Sequence, residues 1–389
     1  MAKHPIFVVK KKMQEYLPIL DQNLNTFIFL CFCMAAFIQL IFILSIYSRL
    51  AFHKNKKQNT GMPPVSIIIA ARNESENLFK HLPFILEQDY PEFEVIIVNH
   101  QSMDDSQYIL DAYSQQYKHL RTINVERSQH LKYGKKLPIT IGIKGAKFEH
   151  LLLTDADCLP KGNQWLKSMA SHFSEKNEIV LGYGPYRKES GFLNKVIRFD
   201  TAWIAMNYFS MAKAQLPYMG IGRNLAYTKN VFDKTRGFKS HYSLSSGDDD
   251  LFIQEAAKKK NYTINTDADS YTYSRAANSW KQWMKQKSRH YTTADKYQVI
   301  KKLMLGIYPL TLLMMVVSFV ILLFDFNFLW SVLAIFCFVL IIKWVILGRA
   351  FKKLGESKFI VWMPLLDIAY AILTPVMYYS IDKTDKNKW

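Results

Sequence analysis

Two aspartates one residue apart, Asp155 and Asp157, follow the apolar run LLLT at residues 151–154 within LLLTDADCLP. Ionised carboxylates at the end of a buried segment call for a counter-charge, because a low-dielectric interior penalises them when unpaired. Hard oxygen ligands in this spacing suit Mg²⁺ or Mn²⁺, with diphosphate oxygens supplying further ligands. The competing reading is a solvated turn that caps a helix near residues 163–173. A second acid group, Asp248, Asp249 and Asp250 in SGDDDLF, opens the helical pattern LFIQEAAKKK. One such carboxylate can act as general base toward a hydroxyl, and its neighbours suit the helix dipole as caps. A third group, Gln286, Arg289 and His290 in QKSRH, falls at i, i+3 and i+4 and so on one helical face. The planar fork of Arg289 matches a diphosphate, or else a surface carboxylate.

These side chains need a scaffold, and the surrounding pattern supplies one. Strands are expected at VSIIIAA (65–71), EVIIV (94–98), TINV (122–125) and LLLT (151–154). Helical patterns follow the first run, occupy 105–117, and recur at 137–148. Strands alternating with helices imply an α/β fold with a doubly wound, mostly parallel sheet. Ligands of such sheets bind beyond the carboxyl ends of the strands. The acid pair sits at that kind of position.

The order of motifs in residues 65–295 resembles glycosyltransferase family 2, inverting enzymes of the GT-A fold. The resemblance rests on VSIIIAARNESENL, IIVNHQSMDDS, LLLTDADC, YMGIGRNLAY, SGDDDLF and QKSRH, in that order. It implies nucleotide contacts from Ala71, Arg72, Asn73 and Glu74 after the first strand, and from Asn99 after the second. It further implies Asp157 as direct metal ligand, Asp155 on the ribose or the metal, and Gln286 and Arg289 on the donor. Asp248 is the expected base, with Asp249 in reserve, while Arg223, Asn224 and His290 are the expected acceptor-side residues. Lys135 and Lys136 are further cations for the phosphates, or an ordinary basic turn. Tyr183 and Tyr186 of LGYGPY line the acceptor side or simply pack. The chain departs from the family in three places. Asn99 and His100 stand where V-D-D-G-S carries acids, Gly247 stands where E-D-x-D-L carries Glu, and His290 replaces the Trp of Q-x-x-R-W. The first departure loosens the default of a UDP donor, and the last makes a growing polysaccharide a poorer acceptor.

The 389 residues carry 50 Lys and Arg against 32 Asp and Glu, a net charge of +18. Much of the excess flanks apolar blocks, as at Lys10–Lys12, Arg49, Lys54, Lys56, Lys57, Lys301, Lys302, Arg349, Lys352 and Lys353. That placement fits membrane flanks rather than nucleic acid, for which no module is recognisable. The expected organisation is a flank at 1–26, a transmembrane helix at 27–47, a basic linker at 48–62, a GT-A domain at 63–298 and a membrane region at 299–389. Its spans fall at 303–324 and 328–347, and 359–380 either spans or lies in the interface. The basic loops put the central domain on the cytoplasmic face of the cell membrane. On helix 280–290, Trp280, Trp283 and the lysines read as an interfacial face or as core. Cys31, Cys33 and Cys337 lie in apolar spans, Cys158 follows the acid pair, and the lack of CxxC spacing indicates neither zinc site nor disulfide framework. The expectation is a membrane-anchored, Mg²⁺- or Mn²⁺-dependent transferase. It would move a sugar from a nucleotide-diphosphate donor to a lipid-linked or envelope glycan acceptor. A processive polysaccharide synthase and a catalytically inactive membrane scaffold are the alternatives.

Overall fold

The computed structural model describes residues 5–55, 61–126, 134–258 and 260–380. Lys56 and Lys57 of the linker, and Lys132 and Tyr133 before Gly134, lie outside the described residues. The strands are β1 (Val65–Ala71), β2 (Phe93–His100), β3 (Leu120–Val125), β4 (His150–Asp155), β5 (Leu159–Pro160), β6 (Ile179–Leu181), β7 (Leu225–Thr228), β8 (Tyr262–Ile264) and β9 (Thr272–Tyr273). Among the described residues seven of them form one sheet in the order β3-β2-β1-β4-β7-β6-β8, and β5 pairs with β9. The β3-β2-β1-β4 portion is parallel, whereas β7 runs antiparallel to β4 and β6.

Every residue of β1 is buried, as expected of a strand covered on both faces. Its alternate side chains enter two cores. Val65, Ile67, Ile69 and Ala71 pack with Leu78, Leu82, Ile97 and Trp165 on one face, and Ile68 and Ala70 with Ile96, Val98, Ile143 and Leu153 on the other. The first core is closed by α3 (Ser75–Leu86), α4 (Ser106–Gln116) and α6 (Trp165–Ala170). The second is closed by α5 (Lys136–Gly145), α7 (Phe192–Lys213), α8 (Lys229–Lys234) and α9 (Asp250–Ala256). Helix α6 is shorter than the sequence pattern implies, and neither Asp155 nor Asp157 caps it, since its N-cap is Gln164.

The amino-terminal helix α1 (Pro5–Phe42) runs through a π-helical turn, Ile43–Tyr47, into α2 (Ser48–Ala51). Helix α10 (Trp280–Ala294) leads into α11 (Val299–Leu322), α12 (Leu329–Lys353) and α13 (Met363–Ser380). Three helices, Gln22–Ala51, Val299–Leu322 and Leu329–Lys353, are long and apolar enough to cross a membrane. The segment expected at 359–380 forms α13, whose Asp367 pairs with Lys343 of α12 at 2.5 Å and accepts from the Tyr308 hydroxyl at 2.9 Å. Gln39, the polar interruption in the first apolar stretch, donates to the Tyr308 carbonyl and the Thr311 hydroxyl, both at 2.7 Å. Buried polar groups thus find partners on four helices.

The sheet domain is fixed to these helices at several points. Arg198 of α7 and Glu356 after α12 form a buried two-pronged ion pair, with Arg198 Nε donating to Glu356 Oε1 at 3.0 Å. Tyr47 donates to Asn207 of α7 at 2.9 Å, while Lys353 Nζ donates to the His53 carbonyl at 2.5 Å and so ties the end of α12 to the segment after α2. Removing one partner of a buried pair leaves the other charge uncompensated. Glu356→Ala is therefore expected to destabilise the protein by about 3–5 kcal/mol, measured by chemical denaturation in detergent; a loss under 1 kcal/mol would contradict the role given to this pair.

Candidate active site

The carboxyl ends of β1, β2 and β4 reach one rim because their registers align Ala71 with Asn99 and Ala70 with Asp155. The chain leaving β1 turns at Asn73, which has a φ of 53°, and is tied to the loop after β2. Asn73 N donates to Ser102 Oγ at 2.9 Å, Met103 N to Asn73 Oδ1 at 2.7 Å, and Ser75 N to Asp104 Oδ2 at 2.9 Å. Asp104 thereby caps the first turn of α3. Glu74 accepts from Asn77 at 2.6 Å; burial raises its carboxyl, and the negative charges of Asp157 and Asp155 add to the shift. Asn99 donates to Gln107 at 2.9 Å, while its buried Oδ1 has no partner among the described residues. That leaves an unpartnered carbonyl acceptor buried at the carboxyl end of β2.

Asp155 forms an ion pair with Lys135 at 2.7 Å. Burial alone would raise its carboxyl, but Lys135, helped by Arg223 and Arg289, holds it below the usual carboxylate range. Asp157 moves the other way, raised by burial and then by the charge of Asp155. Among the described residues no lysine or arginine pairs with Asp157, so the acid pair retains an unmet demand for positive charge. Two carboxylates with that demand suit Mg²⁺ or Mn²⁺, which are commonly held by one or two acids plus phosphate oxygens. Among the described residues no cluster of three metal-binding side chains exists, so further ligands would come from the donor and water.

A cleft of about 100 Å³ opens beside this pair, lined by Lys135, Asp155, Tyr186, Arg223, Asp248 and Arg289 among others. Arg223 lies with its guanidinium carbon 4.4 Å from the Tyr186 ring centre, and its carbonyl accepts from Thr154 and Thr272. Its buried Nη1 has no partner among the described residues. Helix α10 presents Gln286, Arg289 and His290 to the cleft, and Gln286 donates to the Tyr186 hydroxyl at 2.8 Å. Desolvation in the cleft, then the charges of Arg289 and Lys287, holds the His290 imidazole well below its ordinary value and so neutral.

Asn224, expected on the acceptor side, does not face the cleft. It is fully buried, accepting from the Trp165 indole at 3.1 Å and donating to the carbonyls of Tyr183 and Ser270. A Cβ at Gly182 would lie 2.7 Å from this amide, so the first glycine of LGYG makes room for the clamp. Tyr183 is core, whereas Tyr186 reaches the site. Trp283 and Lys287 are also turned inward, Trp283 packing with Tyr186 and Ile197, and Lys287 pairing with Asp200 at 2.5 Å. Of the expected interfacial face, Trp280 remains exposed beside Phe192.

The acid triplet divides into distinct roles. Asp250 is buried, accepting from Thr293, from Tyr297 at 2.8 Å and from its own helix at Leu251 N. Asp249 is the N-cap of α9, with one oxygen on Asp250 N and the other on Gly222 N at 2.9 Å. Both its oxygens are engaged, which removes the geometric case for Asp249 as reserve base. Asp248 lines the cleft. Ahead of them Gly247 has a φ of 107°, and a Cβ there would lie 2.8 Å from Leu251. The Glu of the family pattern cannot occupy that backbone without strain. Lys136 is not a phosphate cation either. Its buried amine donates to the carbonyls of His241, Leu244 and Ser246, pinning the loop before the triplet, and burial holds its pKa down to about 8. Ile221, Gly222 and Ser246, also at the cleft, fall inside YMGIGRNLAY and SGDDDLF without having been singled out, and Ser245 lies just outside the second motif.

A mostly parallel sheet with an acid pair at the end of its fourth strand, beside a cleft that sets three cations against three carboxylates, defines a domain of the GT-A type. Residues 66–236 match the family described as Glycosyl transferase family 2. Glycosyltransferase AglE of Haloferax volcanii is 30% identical over 174 residues, 44% of this chain and 52% of that protein. A poly-beta-1,6-N-acetyl-D-glucosamine synthase of Staphylococcus epidermidis is 30% identical over 160 residues, 41% of this chain and 37% of the synthase. The chain thus spans about half the length, or less, of these curated relatives. The solved mannosyltransferase PcManGT of Pyrobaculum calidifontis, in complex with GDP-Man and Mn²⁺, superposes with a TM-score of 0.55 at 14% identity, covering 89% of this chain and 99% of its own. That similarity shows the shared fold.

Two outcomes follow from the acid triplet. Gly247→Ala forces a side chain into the left-handed region, so it is expected to cost about 1–3 kcal/mol in denaturation and to displace Asp248. Asp249 is pushed up to about 8 by burial and then by the charges of Asp248 and Asp250, against an ordinary value of 3.8. The folded state then holds a proton that the unfolded state releases; the destabilisation is absent below about pH 4 and accrues as pH rises to about 8. The melting temperature of metal-free protein should fall over that interval, and Asp249→Asn should flatten the decline; an unchanged slope in the variant would contradict the assignment.

Proposed function

We propose that the protein is a membrane-anchored, divalent-cation-dependent inverting glycosyltransferase that moves a sugar from a nucleotide-diphosphate donor to a lipid-linked or envelope acceptor. The observation that carries this reading is the division of charge in the cleft. Asp155 lines it, with Asp157 two residues on in the same turn, Arg223 and Arg289 line the same space, and Asp248 is a separate carboxylate not bound up in helix capping. The nucleoside end fits the rim built by Ala71, Arg72, Asn73 and Glu74, with the unpartnered Asn99 carbonyl as the acceptor for a base edge once side chains over it give way.

In this mechanism Asp248 takes the proton of the acceptor hydroxyl as its oxygen bonds to the anomeric carbon. The bond from that carbon to the diphosphate oxygen breaks on the opposite face, inverting the centre. Arg223 and Arg289 receive the charge that develops on the leaving diphosphate. Lys135 keeps Asp155 ionised and adds positive potential. A cation held by Asp157 and Asp155 would supply Lewis-acid neutralisation of the diphosphate. His290, neutral and polar, offers an acceptor a hydrogen bond in place of an aromatic platform.

The arrangement of helix ends supports a single membrane face for the domain. The end of α2, the start of α11 and the end of α12 all meet the sheet domain, and Arg49, Lys301, Lys302, Lys352 and Lys353 cluster at these ends. By the positive-inside rule this face is cytoplasmic.

The test is release of nucleoside diphosphate from a panel of UDP-, GDP- and dTDP-sugars by the purified full chain with a membrane lipid extract. Asp248→Asn is expected to lower turnover by about 10²–10⁴-fold while donor binding persists. Asp157→Ala and chelation by EDTA should both abolish turnover, and Mn²⁺ or Mg²⁺ should restore only the chelated wild type. Wild-type turnover in both variants would refute the proposed site. A processive synthase is a second reading, favoured by the polysaccharide synthase relative; a ladder of polymer lengths in place of a single addition would establish it.

A further inference from the structure

A cavity of about 220 Å³ lies between the sheet domain and the apolar helices, separate from the cleft. Its wall includes Trp203, Tyr218, Tyr291, Leu305, Tyr308 and Tyr370, drawn from both parts of the molecule. Two segments line both spaces. Helix α10 gives Gln286, Arg289 and His290 to the cleft, and on its adjoining face gives Lys287 and Tyr291 to the cavity. The glycine-rich segment likewise gives Gly222 and Arg223 to the cleft and Tyr218 to the cavity. One turn or less of chain therefore separates the reacting end from an aromatic chamber beside the apolar helices.

The charged and amide groups of the chamber are already paired, leaving the Tyr218 and Tyr291 hydroxyls as its other polar atoms. Lys287 closes onto Asp200 at 2.5 Å, and Asp200 also accepts from the Tyr370 hydroxyl at 3.0 Å. Asn207 accepts from Tyr47 at 2.9 Å and donates to the Trp203 carbonyl at 3.0 Å. A lysine whose charge is matched in this way makes no demand for a phosphate, and what remains is aromatic and aliphatic surface. Such a wall selects hydrocarbon.

We infer that this cavity holds part of the single hydrocarbon chain of the acceptor, so that the acceptor is a membrane-resident lipid whose polar end reaches Asp248 in the cleft. The inference rests on the transferase reading, and it commits the acceptor to a lipid instead of a free glycan. The bilayer is the source of such a chain, since α1, α11 and α13 contribute Phe42, Met304 and Ala371 to the wall. The chain anchors the substrate while α10 holds both its ends in register.

The test uses the full chain in phosphatidylethanolamine–phosphatidylglycerol vesicles containing a diazirine-bearing hexadecyl phosphate, with cross-linked residues mapped by mass spectrometry. Label is expected at Met304, Leu305 or Ala371, and should fall about tenfold in Ile204→Trp, the loss from displacing about two methylenes. Ala371→Phe, on a different helix, should do the same, and a monodisperse elution profile qualifies either variant as folded. Label confined to outward-facing Leu310, Val317 and Val320 would overturn the inference, as would label in the cavity that neither substitution reduces. A diacyl phospholipid carrying the same diazirine forms the second arm; cavity label equal to that of the single-chain probe would make this a general lipid site and overturn the acceptor assignment. Nucleoside diphosphate release by the same wild-type preparation reports separately on the transferase reading.

Discussion

Two carboxylates at the end of a buried strand repel each other, and the arrangement of the cleft follows from what answers that repulsion. Asp155 is answered within the chain by Lys135, twenty residues earlier, at the start of the helix that packs beneath β1 and β2. Asp157 has no such lysine or arginine partner among the described residues. The guanidiniums of Arg223 and Arg289 arrive from two further elements, a 3₁₀ turn and α10, and converge on the space those acids face. Attraction between these opposed groups gives the cleft its polarity. The parallel registers of β1, β2 and β4 fix its geometry by ending three strands on one rim.

The parts of this design visible in the sequence are those in which a local pattern and a local role coincide. LLLT reads as a buried strand because three leucines run into a β-branched threonine, and the acids after it must then sit at its end. QKSRH reads as one helical face because i, i+3 and i+4 always share a face. The order of the six motifs carries the family. Roles set by distant partners were not legible. Asn224 has the composition of a ligand-binding residue, yet its partners are Trp165, Tyr183 and Ser270, none adjacent in sequence. Lys287 and Trp283 look like an interfacial face until Asp200 and Tyr186 are brought against them. Lys136 resembles a phosphate cation, whereas three carbonyls of the loop 241–246 claim its amine.

The departures from the family pattern take on separate meanings once the backbone is seen. Gly247 is a conformational requirement, since its φ of 107° admits little else, and the loop it shapes delivers Asp248 while leaving Asp249 to cap α9. Asn99 is a chemical substitution. It keeps an unpartnered acceptor oxygen at the end of β2 without the charge of an acid. His290 exchanges a flat hydrophobic surface for a small neutral polar one on a helix whose other side is aromatic.

The attachment of the sheet domain has its own consequence. Arg198 with Glu356 and Tyr47 with Asn207 join the sheet domain to one end of the apolar bundle, beside the close of α2 and of α12. On the proposed reading of a membrane-anchored transferase, these contacts hold the cleft at one height above the bilayer. Such a protein would work as a ruler, selecting among acceptors by how far their reactive group stands from their anchor.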